Sequence, residues 1–512
     1  MAVQTFAAIY IGSYEVSIKI FEITSKKIHK VDHLRSRLEL GRDVYRSGSI
    51  GYQLVDELCE ILKEFSRVMK EYGVSHYEAY ASVIFHSASN ELFLLDQIRL
   101  RTGIEVQVLS NSEHRFISYK SVAGRPEFEE IIAQSAAFVD IGGASMQITL
   151  FKKGNLITTQ QLEMGTIRMR ELLADRGKTL AQYQNQLEEY IQKKLETLMQ
   201  LYLKENVAYV VLMGDYCTEL MKNVAKDDAR ECVVKGEKLI KYISKLQKKT
   251  IQEISKELNL SNRNDPLIIP SMILCKVLVS NFGGEKVWIP GLNIHDGIAY
   301  DYAYKNKIIK GHHDFDQDVL SAARHLSEHY GSYSEHLNAL QDIAGQIFDA
   351  MKRIHGLSKR ERLLLQVAAI LHDCGKYVSF VNSPGMAYHI VMASEIIGLS
   401  HRERQIVALT ILYNNNELDD YEDISVELDQ EGYLIIAKLA AILRVANALD
   451  QSHKQKFKRL RIALKERELV CTVESLEDIS LEQALFTSKT KFFENVYSIK
   501  PVLKEKRVYL VE

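Results

Sequence analysis

An apolar, strand-like run that stops at a glycine and restarts after a short polar turn occurs twice, at Ile9-Tyr10-Ile11-Gly12-Ser13-Tyr14 and at Val139-Asp140-Ile141-Gly142-Gly143-Ala144-Ser145. Around the first, Thr5–Gly12, Val16–Thr24 and Ile28–His33 read as hairpin strands; around the second, Ala136–Ile141, Met146–Lys152 and Leu156–Glu163 repeat that opening. Helical and strand-like segments alternate after each, which predicts two α/β lobes, with a strand at Glu285–Trp288 and the helix after it closing the second. From about His313 to Leu460 long Leu, Ile and Ala faces recur at helical spacing and predict an all-α domain. The remainder predicts a hairpin around Lys465–Glu468, a helix at Leu481–Glu494 and a strand at Arg507–Val511. The expected domains are 1–126, 127–311, 312–460 and 461–512.

Bulk properties narrow the function. A formal net charge of -2 gives no broad positive field, so a nucleic-acid partner is not expected and an anionic ligand has to be met by a local site. The six cysteines form no CxxC pair, which argues against a disulfide framework or thiolate zinc site and for a reduced, cytoplasmic setting. The first residues lack the features of a signal peptide, and no apolar run approaches the roughly 18 residues that span a bilayer, so no membrane is expected.

Asp140-Ile-Gly142-Gly143-Ala-Ser145 places a carboxylate at a strand end, then two glycines, then a hydroxyl. Glycines let backbone N–H groups approach an oxyanion, and the carboxylate suits a divalent ion beside a phosphate. A plain hairpin turn capped by a buried aspartate is the alternative. Gly12 and Ser13 repeat the arrangement in the first lobe. Ser110-Asn-Ser-Glu113-His114 offers Glu113 or His114 as a base for water, although Ser110-x-x-Glu113 is also a helix capping box.

With YIGSY at the first turn, DIGGAS at the second, the VLSNSE segment at Val108–Glu113 and MGTIR at Met164–Arg168, the chain resembles the exopolyphosphatase and guanosine pentaphosphate phosphatase family. The resemblance implies actin-like lobes of the sugar-kinase and heat-shock ATPase superfold, then an HD-type helical domain and a small α+β cap. It implies orthophosphate release from polyphosphate or guanosine penta- or tetraphosphate with Mg2+ (or Mn2+), by a protein that commonly forms homodimers. Gly12, Ser13, Gly142, Gly143 and Ser145 are expected at phosphate and Asp140 at magnesium. His86 stands where the family has a phosphate-binding arginine, Tyr10 where it has an aspartate, and Glu113 or His114 at its catalytic base. These substitutions keep open a second reading, a weak or silent sensor of the same ligands.

In the rear half, His336, then His372-Asp373, then Asn447 or Asp450, follow the order in which HD phosphohydrolases present metal ligands, with His389 a further nitrogen. Asn447 replaces the HD carboxylate, so the fold is expected with or without its metal. The basic run containing Lys454, Lys456, Lys458 and Arg459 is either a solvated face or a guide for a long polyanion.

Overall fold

The computed structural model describes residues 3–173, 179–203, 205–224, 233–260, 266–332, 334–424 and 428–506. Two compact units are formed, Met1–Asp314 and Phe315–Glu512.

The first unit contains two sheets of one topology. β1 (Gln4–Ile11), β2 (Glu15–Ile23) and β3 (Ile28–Arg37) form an antiparallel meander, onto which β4 (His76–Ala81) and the short β5 (Gln107–Val108) add in parallel, giving the order β3-β2-β1-β4-β5. β6 (Ser135–Ile141), β7 (Met146–Lys152) and β8 (Asn155–Leu162) repeat the meander. β9 (Tyr209–Met213), β10 (Val233–Lys235) and β11 (Lys286–Trp288) complete the order β10-β11-β9-β6-β7-β8, with β9 parallel to β6 and β11 parallel to β9. The central strands are buried on both faces, since crossover helices cover each side of a parallel core. The Ile268–Phe282 helix is apolar nearly all round and is correspondingly buried.

The Ile294–Lys305 helix departs from expectation: it does not close the second lobe. It returns to the first, packing on the Asn111–Ala123 helix and on β1. Ile298, Ala299, Tyr302 and Ala303 share a core cluster with Phe6, Ala8 and Phe21, and the Phe6 and Tyr302 rings stack at 4.2 Å. Its buried Asp301 is paired to Lys120, and to Lys305 at 2.6 Å. Helical periodicity reveals an apolar face but not which sheet receives it. Close approach of the two helices depends on Gly297, where a Cβ would overlap the Ile117 carbonyl.

In the second unit the Ser334–Ala350, Lys359–Leu371, His401–Leu412 and Gln430–Leu449 helices pack together. The last is long and apolar enough to cross a bilayer by length and composition, which the sequence reading did not anticipate, but most of it is buried as the core helix of this unit. A three-stranded sheet follows, of β12 (Phe457–Lys465), β13 (Glu468–Ser475) and β14 (Lys500–Glu505), with the Ser480–Tyr497 helix packed on Gln430–Leu449. β14 runs parallel to β13; the strand expected at 507–511 lies outside the described residues.

Gly297→Ala is expected to cost the first unit about 1–3 kcal/mol through overpacking. The chain's one tryptophan, Trp288, is buried in β11 of this unit and reports the urea midpoint by fluorescence. An unshifted midpoint would show that this helix contact is not a tight one.

Candidate active site

The two glycine turns have the same hydrogen bonding. Gly12 donates N–H to the Glu15 carbonyl at 2.8 Å, and Gly142 donates to the Ser145 carbonyl at 3.0 Å. The outward carbonyls of each turn are taken by the segment that leads into a helix. Ser13 O accepts from Gly41 N and Tyr14 O from Leu38 N, at the start of the Leu40–Ser47 helix and just before it. Gly142 O accepts from Thr166 N and Gly143 O from Ile167 N, at the start of the Thr166–Leu173 helix. Among the described residues, the N–H groups of Ser13, Gly143, Ala144 and Ser145 donate to no backbone carbonyl. With its acceptors consumed and donors left over, the second turn is built to present N–H groups, and the first turn leaves the Ser13 N–H available beside it.

Both turns line one cavity of about 1070 Å3. A Cβ on Gly143 would lie 3.6 Å from Ser13 Oγ, so the turns face each other closely. Gly12, Ser13, Asp140, Gly142, Gly143, Ser145 and His114 all border this space. The second turn is seated by Gly165, which packs so tightly beneath it that a Cβ would overlap the Gly143 carbonyl.

Asp140 is the next-to-last residue of β6, where it pairs with Met213 of β9 and Gln147 of β7. Tyr10, the next-to-last residue of β1, lies near it; burial and the Asp140 charge push the Tyr10 phenol well above its ordinary range, so it stays neutral. His114 lies with its ring 5.4 Å from that of Tyr10. Burial lowers the His114 pKa, against the opposing pull of Asp140, and the imidazole is therefore neutral near pH 7.

Two expected residues do not border the cavity. Glu113 closes the capping box: its Oε2 accepts from Ser110 N at 3.0 Å and from Ser110 Oγ at 2.6 Å. His86 is half exposed and its Nδ1 lies 2.8 Å from Glu91 Oε1. Glu113 sits one position before His114 on the helix, about 100° round its axis, and only one of the two can face inward.

A wall of cations was missed. β2 and β3 contribute Lys19, Lys30, Arg35 and Arg37 to the cavity lining, with Ser17 opposite Arg35 and Lys19 opposite His33. Burial and the neighbouring Arg35, Lys19 and Lys30 push His33 down to about 3. Burial first, then Lys19, also lowers His295 well below its ordinary value. Both histidines are held neutral mainly by burial, with these cations adding to the effect, while Lys19, Arg35 and Arg37 are themselves paired to Asp296, Glu15 and Glu39. The signal in the sequence was the i, i+2 spacing of His33, Arg35 and Arg37, which puts them on one face of a strand.

In the second unit, His336, His372 and Asp373 do come together. The His336 and His372 rings are 5.3 Å apart, and His372 Nε2 lies 3.2 Å from Asp373 Oδ1. Burial pushes His372 down to about 4. Asp450 accepts from His336 Nδ1 at 2.8 Å, while His389 is exposed. The ring that joins is His453, stacked on His336 with centroids 3.6 Å apart. The basic run lies on β12 and the turn before it. Lys456 is not available to guide a polyanion, being held by Glu482 at 2.9 Å and the Asp478 carbonyl; Lys454, Lys458 and Arg459 are exposed.

Two sheets of one topology around a glycine-lined cavity, followed by a helical unit, define a bilobal α/β protein with a helical C-terminal domain. The sequence profile of the Ppx/GppA phosphatase family matches residues 19–306, and that of Ppx/GppA phosphatase domain III matches residues 320–490. The chain belongs to the Ppx/GppA phosphatase family. Its fold is similar to that of the Aquifex aeolicus family member, at 19% identity and a TM-score of 0.51 over 61% of this chain and 100% of that one. It is also similar to an exopolyphosphatase from Cytophaga hutchinsonii, at 16% identity and a TM-score of 0.52 over 60% of this chain and 100% of that one.

Loss of the cap makes a specific prediction. Glu113→Ala should destabilise the first unit by about 1 kcal/mol, whereas Glu113→Gln, which preserves a capping box, should leave the Trp288 urea midpoint close to wild type. Equal destabilisation by both would show that the carboxylate has a further partner.

Proposed function

We propose that the chain is a phosphoanhydride hydrolase of the exopolyphosphatase type, releasing orthophosphate from the end of inorganic polyphosphate or from guanosine penta- or tetraphosphate. The observation that carries this reading is the convergence of surplus N–H donors from two opposed glycine turns on one cavity, beside Asp140 and His114. The terminal phosphoryl group is held by the amides of Ser13, Gly143, Ala144 and Ser145, and the cations of β2 and β3 receive the negative charge further along the substrate. His114 takes a proton at a ring nitrogen from the attacking water; the new P–O bond forms as the bridging P–O bond breaks, and the shortened polyanion leaves.

Asp140 fits Mg2+ or Mn2+: it is a hard oxygen donor at a strand end that opens onto the donor-lined turns. A divalent ion bound there supplies charge neutralisation to the phosphate oxygens. The duplicated meander-and-crossover sheets support the actin-like reading of the lobes. The assembled His336, His372 and Asp373 support the HD-type reading of the second unit.

A second reading, a binder of the same polyanions without turnover, is favoured by Tyr10, whose buried neutral phenol stands where the family carries an aspartate, and by the engagement of Glu113 in its cap. Incubation with long-chain polyphosphate and Mg2+ separates the two. Wild type is expected to release orthophosphate, Glu113→Gln to stay close to the wild-type rate, and His114→Ala and Asp140→Ala to lose about 10²- to 10⁴-fold. Tight binding without release by wild type would establish the binder, and loss of activity in Glu113→Gln but not in His114→Ala would reverse the choice of base.

The pH profile gives an independent check. A base acts deprotonated, and the folded His114 pKa lies below the ordinary histidine value of about 6.5, so the acid limb of kcat/KM should fall below about pH 6.5. An acid limb above that value would exclude His114.

A further inference from the structure

We propose that Cys217 and Cys275 form a reversible disulfide in the wall of the first unit's cavity, a modification that alters the space in which the polyanion is held. The two residues are 58 positions apart in the chain, yet their Sγ atoms lie 3.2 Å from each other. Cys217 belongs to the first turn of the Asp215–Val224 helix and Cys275 to the middle of the Ile268–Phe282 helix, and these two helices pack together. Both are free thiols. An S–S bond is about 2 Å long, so closing it asks the two sulfurs to approach by only about 1 Å.

The pair stands directly behind the cavity. Cys217 borders it, as do Tyr216 and Thr218 on either side; on the facing helix Ser271, one turn before Cys275, borders it too. A bond between the sulfurs therefore ties two walls of the space together. Gly214 connects the pair to the second glycine turn. It is held at φ 134°, and a Cβ there would lie 3.1 Å from the Ile141 carbonyl oxygen and 3.8 Å from Cys217 Sγ. Ile141 is the residue before Gly142. Close-packed interiors transmit displacements of this size, so a shift of the Cys217 sulfur is felt at the donor-lined turn.

Both thiols are buried in the core of the second lobe, so the cavity is the route by which a small oxidant reaches them, and it reaches Cys217 first. The oxidant named by this chemistry is a hydroperoxide. Cys217 Sγ attacks one peroxide oxygen, the S–O bond forms as the O–O bond breaks, and the thiol proton leaves with the second oxygen as water or alcohol, which gives a sulfenic acid. Cys275 Sγ then attacks the Cys217 sulfur; the S–S bond forms, the S–O bond breaks, and water departs with the Cys275 proton. Two thiols have lost two electrons and the hydroperoxide has gained them. Exchange with a small thiol reverses the bond. Disulfides that come and go in this way are the kind found where thiols are otherwise kept reduced.

The test uses the full chain and two measurements that fail separately. The folded protein is treated with hydrogen peroxide, cleared with catalase and then denatured in iodoacetamide; intact mass counts the modified thiols and peptide mapping locates any bond. All six cysteines should be alkylated before oxidation and two fewer after it, with the Cys217 and Cys275 peptides joined and separated again by dithiothreitol. Cys275→Ser should leave a dimedone-reactive sulfenic acid on Cys217 and no joined peptide. No joined peptide from wild type, or one that forms only after unfolding in urea, would overturn the proposal and leave the two thiols as core packing. The second measurement rests on the reading of the cavity as a polyphosphate site. Oxidation is expected to weaken binding of long-chain polyphosphate roughly tenfold or more, the scale of a ~1 Å misplacement of contacting groups, with recovery in dithiothreitol and no peroxide effect in Cys275→Ser. Unchanged binding by the joined protein would overturn the coupling to the cavity. No binding by the reduced wild type would overturn the polyphosphate reading, and the joined peptide would still decide the disulfide.

Discussion

The placement of backbone acceptors governs the first unit. In the second glycine turn the carbonyls of Gly142, Gly143 and Ala144 are taken by Thr166, Ile167 and Gly165, so its surplus is of N–H groups; in the first, Leu38 and Gly41 take the carbonyls of Tyr14 and Ser13. An unpaired buried donor is expensive, and a turn made this way is stable only where water or an anion meets it. The cavity between the lobes supplies that setting. Close packing beneath the second turn at Gly165, and the pairing of Asp140 with strands on both sides, then hold the donors and the carboxylate in one frame.

The second lobe's chain ends in the first lobe. The Ile294–Lys305 helix buries its apolar face on β1 and β2, and Lys19 reaches from β2 to Asp296 at 2.7 Å and to Asn293 at 2.9 Å. That contact does two things at once. It fixes the helix start, where Asn293 and Asp296 form a capping box, and it holds the Lys19 ammonium at the cavity wall near His295 and His33. Burial of two histidines beside cations keeps both neutral, so the wall's positive charge resides on Lys and Arg and does not depend on pH near neutrality.

Where the sequence was hard to read, the ambiguity had a physical origin. Ser110-x-x-Glu113 carried two meanings, cap and base, and the helix start uses Glu113 for the first. Neighbouring His114, about 100° further round, borders the cavity instead. His86 matched a phosphate-binding position by alignment, but its ring is paired with Glu91. Lys456 looked like one of a row of cations, yet it lies in the turn before β12 and reaches the nearly inaccessible Glu482, a residue of a later helix that no local pattern connects to it. His453 lies in a turn whose left-handed residues no spacing rule foretells.

By itself the sequence determined what short-range patterns can specify: the two meanders, the glycine turns with Asp140 at a strand end, the helical rear half, and the kinship those motifs carry. These follow from periodicity and from backbone freedom, which are local properties. Tertiary structure alone decided which residues meet. It sent the Ile294–Lys305 helix to the first lobe, assembled the cationic wall from β2 and β3, and brought His453 against His336, because such contacts depend on long-range packing and on hydrogen-bond partners far apart in the chain.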